Sequence, residues 1–148
     1  MALLAALILL ALSAALATAI FSAAQASRRA SRTMRARVRV EVGVRRAFAE
    51  VLQGWTAALD TLPLGMAARV ALDSEPAMDG PPLLRTAQVE RVTADFYAIT
   101  VDLRAFSIDH PMAHRRARLW VERTARDSAG GPPIAPLVVT PWGFADLY

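Results

Sequence analysis

Two histidines are the first residues in this chain whose type and spacing could do chemistry. His110 and His114 stand i, i+4 apart, the interval at which two imidazoles on one helical face can share a metal ion. Pro111 lies between them, and no cysteine or carboxylate cluster completes a ligand set, so they read as loop histidines near the start of a strand. Asp109 adjoins His110, but no serine in a GxSxG setting accompanies them as a nucleophile. Gly130-Gly131-Pro132-Pro133 lacks the Lys, the Ser and the helix start that a phosphate-cradling loop needs. Trp55, Trp120 and Trp142 read as core or interface anchors rather than a stacking platform. The expectation is a chain without catalytic residues, metal site or cofactor.

The remaining chemistry is carried by arginine. All 17 basic residues are Arg, and their placement is uneven. Residues 1–27 carry no charge, whereas residues 28–46 hold eight arginines against one acid, Glu41. The rest of the chain holds nine arginines and twelve acids. Arg28, Arg29, Arg32, Arg35 and Arg37 are therefore the candidate membrane-interface collar, suited to lipid phosphates just beyond a bilayer. The same guanidinium groups could face acidic groups on neighbouring subunits. Neither a DNA-binding motif nor interleaved aromatics accompany them, so nucleic acid is not an expected partner.

The elements that must position this collar follow from the hydropathy pattern. Residues 1–26 contain only Ser13, Thr18, Ser22 and Gln25 as polar side chains. About 20 apolar residues suffice to cross a bilayer core as a helix. A signal peptide competes for this segment, with small-residue sites at 15–17 and 24–26, but no basic n-region precedes the apolar run. A retained transmembrane helix is the expectation. Leu4, Leu7, Ala11, Ala15 and Ser22 are its candidate lipid and helix-packing positions, the small ones permitting close approach of another helix. The positive-inside tendency places the arginine cluster in the cytoplasm and the N-terminus outside.

Helical spacing continues through Ala30, Met34, Val38, Val42, Val44, Phe48, Val51, Leu52, Trp55 and Leu59. Gly43 and Gly54 weaken this helix without stopping it, and Pro63 ends it, so one helix over residues 1–61 is expected. A competing signal is the alternation of Val38, Val40, Val42 and Val44, which has the period of a strand. Helix is preferred because its periodicity resumes at Arg45. Such a helix would be about 90 Å long, so its N-terminal half must lie in lipid or against other protein.

Beyond Pro63 the pattern turns to short strands, at 68–72, 84–92, 95–106, 116–124 and 137–142, with loops at 74–82 and 125–136. Four or five antiparallel strands need one covered face, and the amphipathic half of the helix is available to cover it. The expected fold class is α+β, a long N-terminal helix (transmembrane half plus amphipathic half) packed on a small antiparallel sheet. The organisation is 1–26 transmembrane, 27–62 collar and amphipathic continuation, and 63–148 head. A hydrophobic fraction of 55% excludes a disordered chain, and the lack of cysteine excludes a disulfide scaffold.

This plan resembles the type IV pilin superfamily, in particular its minor pilins and pseudopilins. The opening MALLAALILLALSAALA is similar to their mature N-terminus, and Glu41-Val42-Gly43-Val44-Arg45-Arg46-Ala47 resembles a Glu-Ala-Gly-x-x-x-Ala element farther along their helix. The resemblance marks Glu41, Gly43 and Ala47 and covers roughly residues 1–60, while the head is similar only in architecture. It implies a basic leader ending in Gly before Met1, a head in the periplasm, and a structural subunit of a type IV pilus or type II secretion system at the bacterial inner membrane. That orientation opposes the one from the arginine count alone. One departure is Ala5, where major pilins have Glu, which points to a tip or priming subunit, or a relative that works outside filaments. The alternative is a single-pass accessory subunit of a larger respiratory or photosynthetic membrane complex. Either way the expected partners are the lipid bilayer and other membrane-protein subunits.

Overall fold

A computed structural model describes residues 2–73, 82–106, 111–123 and 137–147. The chain divides into two compact units, residues 1–35 and 36–148. Helix α1 (Ala2–Gln53) accounts for the described part of the first unit and supplies the helical layer of the second. The α+β expectation holds: the helix packs on a five-stranded antiparallel sheet.

The sheet contains β1 (Ala67–Val70), β2 (Leu83–Arg91), β3 (Phe96–Phe106), β4 (Pro111–Arg123) and β5 (Leu137–Leu147). Its order is β1-β2-β3-β4-β5, with every neighbour antiparallel. Alternation decides the faces. Ala87 and Val89 of β2, Tyr97, Ile99, Val101 and Leu103 of β3, and Ala117, Leu119 and Val121 of β4 form one apolar layer. Onto it α1 lays Ala36, Val40, Val44, Ala47, Phe48 and Val51, all buried and spaced by three or four residues.

The strand-like alternation at residues 38–44 is resolved by this packing. Val40 and Val44 are one i, i+4 pair facing the sheet, and Val38 and Val42 are another facing away. The helix stops earlier than expected, at Gln53 rather than residue 61. Gly54 closes the last turn on the Glu50 carbonyl at 2.8 Å, and Thr56 is extended before the short α2 (Ala57–Asp60). The break lets Trp55 turn back onto the core, edge-on to Tyr97 at 5.2 Å, with its indole N–H donating to Asp60 Oδ1 at 2.9 Å.

The last two strands are longer than expected, β4 starting at Pro111 and β5 running to Leu147. The register of β5 explains its disguise. Val121 pairs with Val139 but Leu119 pairs with Phe144, so residues 140–143 bulge opposite Trp120. A Cβ on Gly143 would stand 2.7 Å from the Trp120 carbonyl oxygen and 2.4 Å from Thr140 Oγ1, which explains glycine there.

Candidate functional site

Two stretches of α1 carry the sequence-predicted site residues. In the first, Leu4 and Leu7 are 62% and 59% exposed, and Ala11, Ala15 and Ser22 are likewise on the surface. An uncharged window of this helix reaches a mean hydropathy of 2.6 with none of it buried within the chain. The hydroxyls of Ser13, Thr18 and Ser22 are satisfied internally. The Ser13 hydroxyl donates to the carbonyls of Leu9 and Leu10, Thr18 to those of Ala14 and Ala15, and Ser22 to Ala19. A hydroxyl bonded one turn back presents little unmet polarity to hydrocarbon. By length and composition this helix can span a membrane. Arg28, Arg29, Arg32, Arg35 and Arg37 follow it, all exposed.

In the second stretch, Glu41, Gly43 and Ala47 meet the sheet. Ala47 is fully buried, and Gly43 comes so close that a Cβ there would stand 2.6 Å from Leu103 Cδ2. Small residues at these two positions set the depth at which the helix seats. Its sides are then clamped by carboxylates. Glu41 pairs with Arg115 of β4, and Glu50 meets Arg85 of β2 at 2.6 Å. Arg115 is also held by Asp146 of β5, its Nε and Nη2 each donating at 2.8 Å. Arg46 adds a 2.9 Å bond to Glu50. Burial alone would push the Glu50 carboxyl up, but Arg85 and then Arg46 outweigh it and hold the group below its ordinary value. Hydrogen bonds from Arg115 likewise hold Asp146 low.

Glu41 and Glu50 are the only acids between residues 28 and 59, a signal visible in the sequence for Glu41 but not taken for Glu50. Arg85, Arg115 and Asp146 carried no local signal, because strand pairing alone brings them beside α1. At the Glu41 end a cleft of about 350 Å³ is lined by Arg37, Val40, Glu41, Arg115, Asp146 and Leu147 among others. Three arginines, Arg37, Arg115 and Arg116, line it with two carboxylates, and Arg115 is already engaged by both acids. The arrangement locks elements together more than it selects a charged ligand.

The reverse face of the sheet is polar and paired. Arg104 binds Asp102 through two bonds of 3.1 and 3.2 Å, and His114 Nε2 lies 3.1 Å from Asp102 Oδ1. Burial opposes ionisation of Asp102, but Arg104 and His114 prevail and lower its pKa. His114 is thus a strand residue on an ion-pair ladder, not a loop histidine. Trp120 stacks on Phe96 at 5.6 Å with Arg118 over its ring, as an anchor of that face. His110, Asp109, the run 130–133, residues 74–81 of the expected loop 74–82 and the expected loop 125–136 lie outside the described residues, as does the Trp142 side chain. Among the described residues no group of three or more His, Asp or Glu is placed to hold a metal ion. No protein-family model, curated protein or solved structure matches this chain.

Proposed function

We propose that this protein is a membrane-anchored structural or assembly subunit, in the manner of a minor pilin or pseudopilin of a type IV pilus or type II secretion system. The observation that carries the reading is the uncharged, unburied helical run with internally satisfied hydroxyls, joined in one chain to a clamped α+β head. The run seats in the bacterial inner membrane in a single pass, the collar meets lipid phosphates, and the head stands in the periplasm among other subunits. The motif Glu41-x-Gly43-x-x-x-Ala47 supports the resemblance physically, since all three residues serve the helix–sheet contact. Its work is placement, not catalysis.

A second reading is favoured by the small residues Ala11, Ala15 and Ser22 on one helical face, which would let the helix dock into a larger respiratory or photosynthetic complex. Purification of the full chain from its native membranes in mild detergent, with N-terminal sequencing of the mature chain, tests both. The pilin-like reading expects co-purification with filament or secretion subunits and an N-terminus at Met1 created by leader cleavage. Co-purification with a cofactor-bearing complex selects the second reading. Elution of the chain alone contradicts both.

A further inference from the structure

The hydroxyls of α1 change their bonding where its charge begins. In the uncharged stretch Ser13, Thr18 and Ser22 each donate to a carbonyl one turn back. Farther on, Thr33 donates in the same way to Arg29. Ser27 and Ser31 do not: both are exposed and have no hydrogen-bond partner among the described residues. Hydrocarbon disfavours an unmet hydroxyl, whereas a headgroup layer offers it phosphate and glycerol oxygens.

The arginines beside these serines have no countercharge of their own. No acid precedes Glu41 in the chain. Arg28, Arg32 and Arg35 are exposed and lack an ion-pair partner among the described residues. They stand four and three residues apart, so they fall on one side of the helix within about 60° of arc, with Ser31 at the edge of the row. The row rises about 10 Å, and side chains on a helix lean towards its N-terminus, which here is the apolar end. All of these residues belong to the same compact unit as the apolar run, residues 1–35.

We infer that Arg28, Arg32 and Arg35, with Ser31, form a seat for the headgroup of an anionic phospholipid. The inference rests on the membrane-anchored reading above and adds to it the class of lipid and the residues that select it. Guanidinium forks take phosphate oxygens in pairs, and the serine hydroxyl donates to the same group. A zwitterionic headgroup sets its own cation against a row that already carries three positive charges. An anionic headgroup brings the missing negative charge without that cation. The acyl chains of such a lipid lie along the uncharged run, an apolar contact that a soluble phosphate cannot make.

The test uses the full chain with Ile20→Trp, a reporter in the apolar run about two turns before Arg28. It is reconstituted in vesicles that mix brominated phosphatidylglycerol and brominated phosphatidylcholine in varied proportion. The parent chain, with its three native tryptophans, supplies the background. Bromine quenches indole on contact, so relative quenching gives relative lipid occupancy beside the reporter. The expected result is a preference for phosphatidylglycerol of about tenfold at low salt. Arg28→Gln, Arg32→Gln and Arg35→Gln together bring it to parity, and Ser31→Ala lowers it about threefold. Removing the same charge from exposed positions of the head, by Arg45→Gln, Arg69→Gln and Arg116→Gln, leaves the preference in place. Inorganic phosphate in place of chloride at equal ionic strength also leaves it in place, which separates a lipid headgroup from a free anion. Equal quenching by the two lipids overturns the inference, and is the outcome if the row instead serves carboxylates of another subunit. A preference that survives the triple row variant, disappears in the head variant or yields to inorganic phosphate overturns it as well. In each of these cases quenching of the reporter still places the run in the bilayer, so the membrane-anchored reading stands and this inference alone fails. Quenching by neither lipid contradicts both.

Discussion

At the scale of single residues, the account turns on side chains that fix distances between layers. Gly43 and Gly143 make the clearest pair. An added methyl at Gly43 would press on the flexible end of Leu103, and helix propensity returns about 1 kcal/mol in favour of alanine. At Gly143 it would press on carbonyl oxygens of Trp120 and Thr140, which cannot move without undoing the bulge. Gly143→Ala should therefore lower the melting temperature of the head more than Gly43→Ala, as followed by thermal circular dichroism. Equal effects, or the reverse order, would show that the bulge does not set the β5 register. The Glu50–Arg85 pair makes a second prediction. Arg85 is only 5% exposed at its side chain, so Glu50→Ala leaves an almost buried guanidinium uncompensated and should cost about 3 kcal/mol. Glu50 also titrates below its ordinary 4.5 in the folded chain. Its contribution is present above that pH and is lost as the pH falls through the depressed native value. Denaturant midpoints measured from pH 6 to 3 should fall more steeply for the wild type than for Glu50→Gln.

At the scale of elements, the helix segment facing the sheet divides sharply between two sides. Val44→Asp would bury a carboxylate in the core, where Val44 is 1% exposed, and should unfold the head. Val42→Asp, two residues earlier on the outer side, should leave head stability within about 0.5 kcal/mol of wild type by chemical denaturation. The same contrast shows why much of this fold was legible. Strand alternation at residues 96–103 is a local signal that formed with the faces it announced. The spacing through Ala30, Met34, Val38 and Val42 announced a helix but not its buried face, since those four are exposed and Ala36, Val40, Val44, Ala47 and Val51 meet the sheet. The misreadings share a cause in tertiary contact. Gly54 ends the helix because Trp55 has a place against Tyr97, which helical periodicity cannot register. Strand β5 outlasts its expected end because residues 140–143 bulge and the pairing resumes at Phe144. Of the site, the apolar run and the collar are compositional and were visible, whereas the clamps to Arg85, Arg115 and Asp146 depend on strand register and were not.

At the scale of the whole molecule, the division of labour follows from where hydrophobic surface finds its cover. The head hides its apolar layer between helix and sheet, while residues 2–26 find no cover in their own chain. The proposed account gives them lipid and gives the head its neighbours. Leu7→Arg and Ile8→Arg together would add about 5 kcal/mol or more to insertion, so this variant should shift from the membrane pellet into the soluble or aggregated fraction. Since the chain has no cysteine, single substitutions report position without background. The most direct measurement of the central claim is maleimide labelling of Ser13→Cys and Gln88→Cys in native membranes. The account predicts that a membrane-impermeant maleimide, added from the periplasmic side, modifies Gln88→Cys at once and leaves Ser13→Cys unmodified until detergent is added. Prompt labelling of Ser13→Cys without detergent would contradict it.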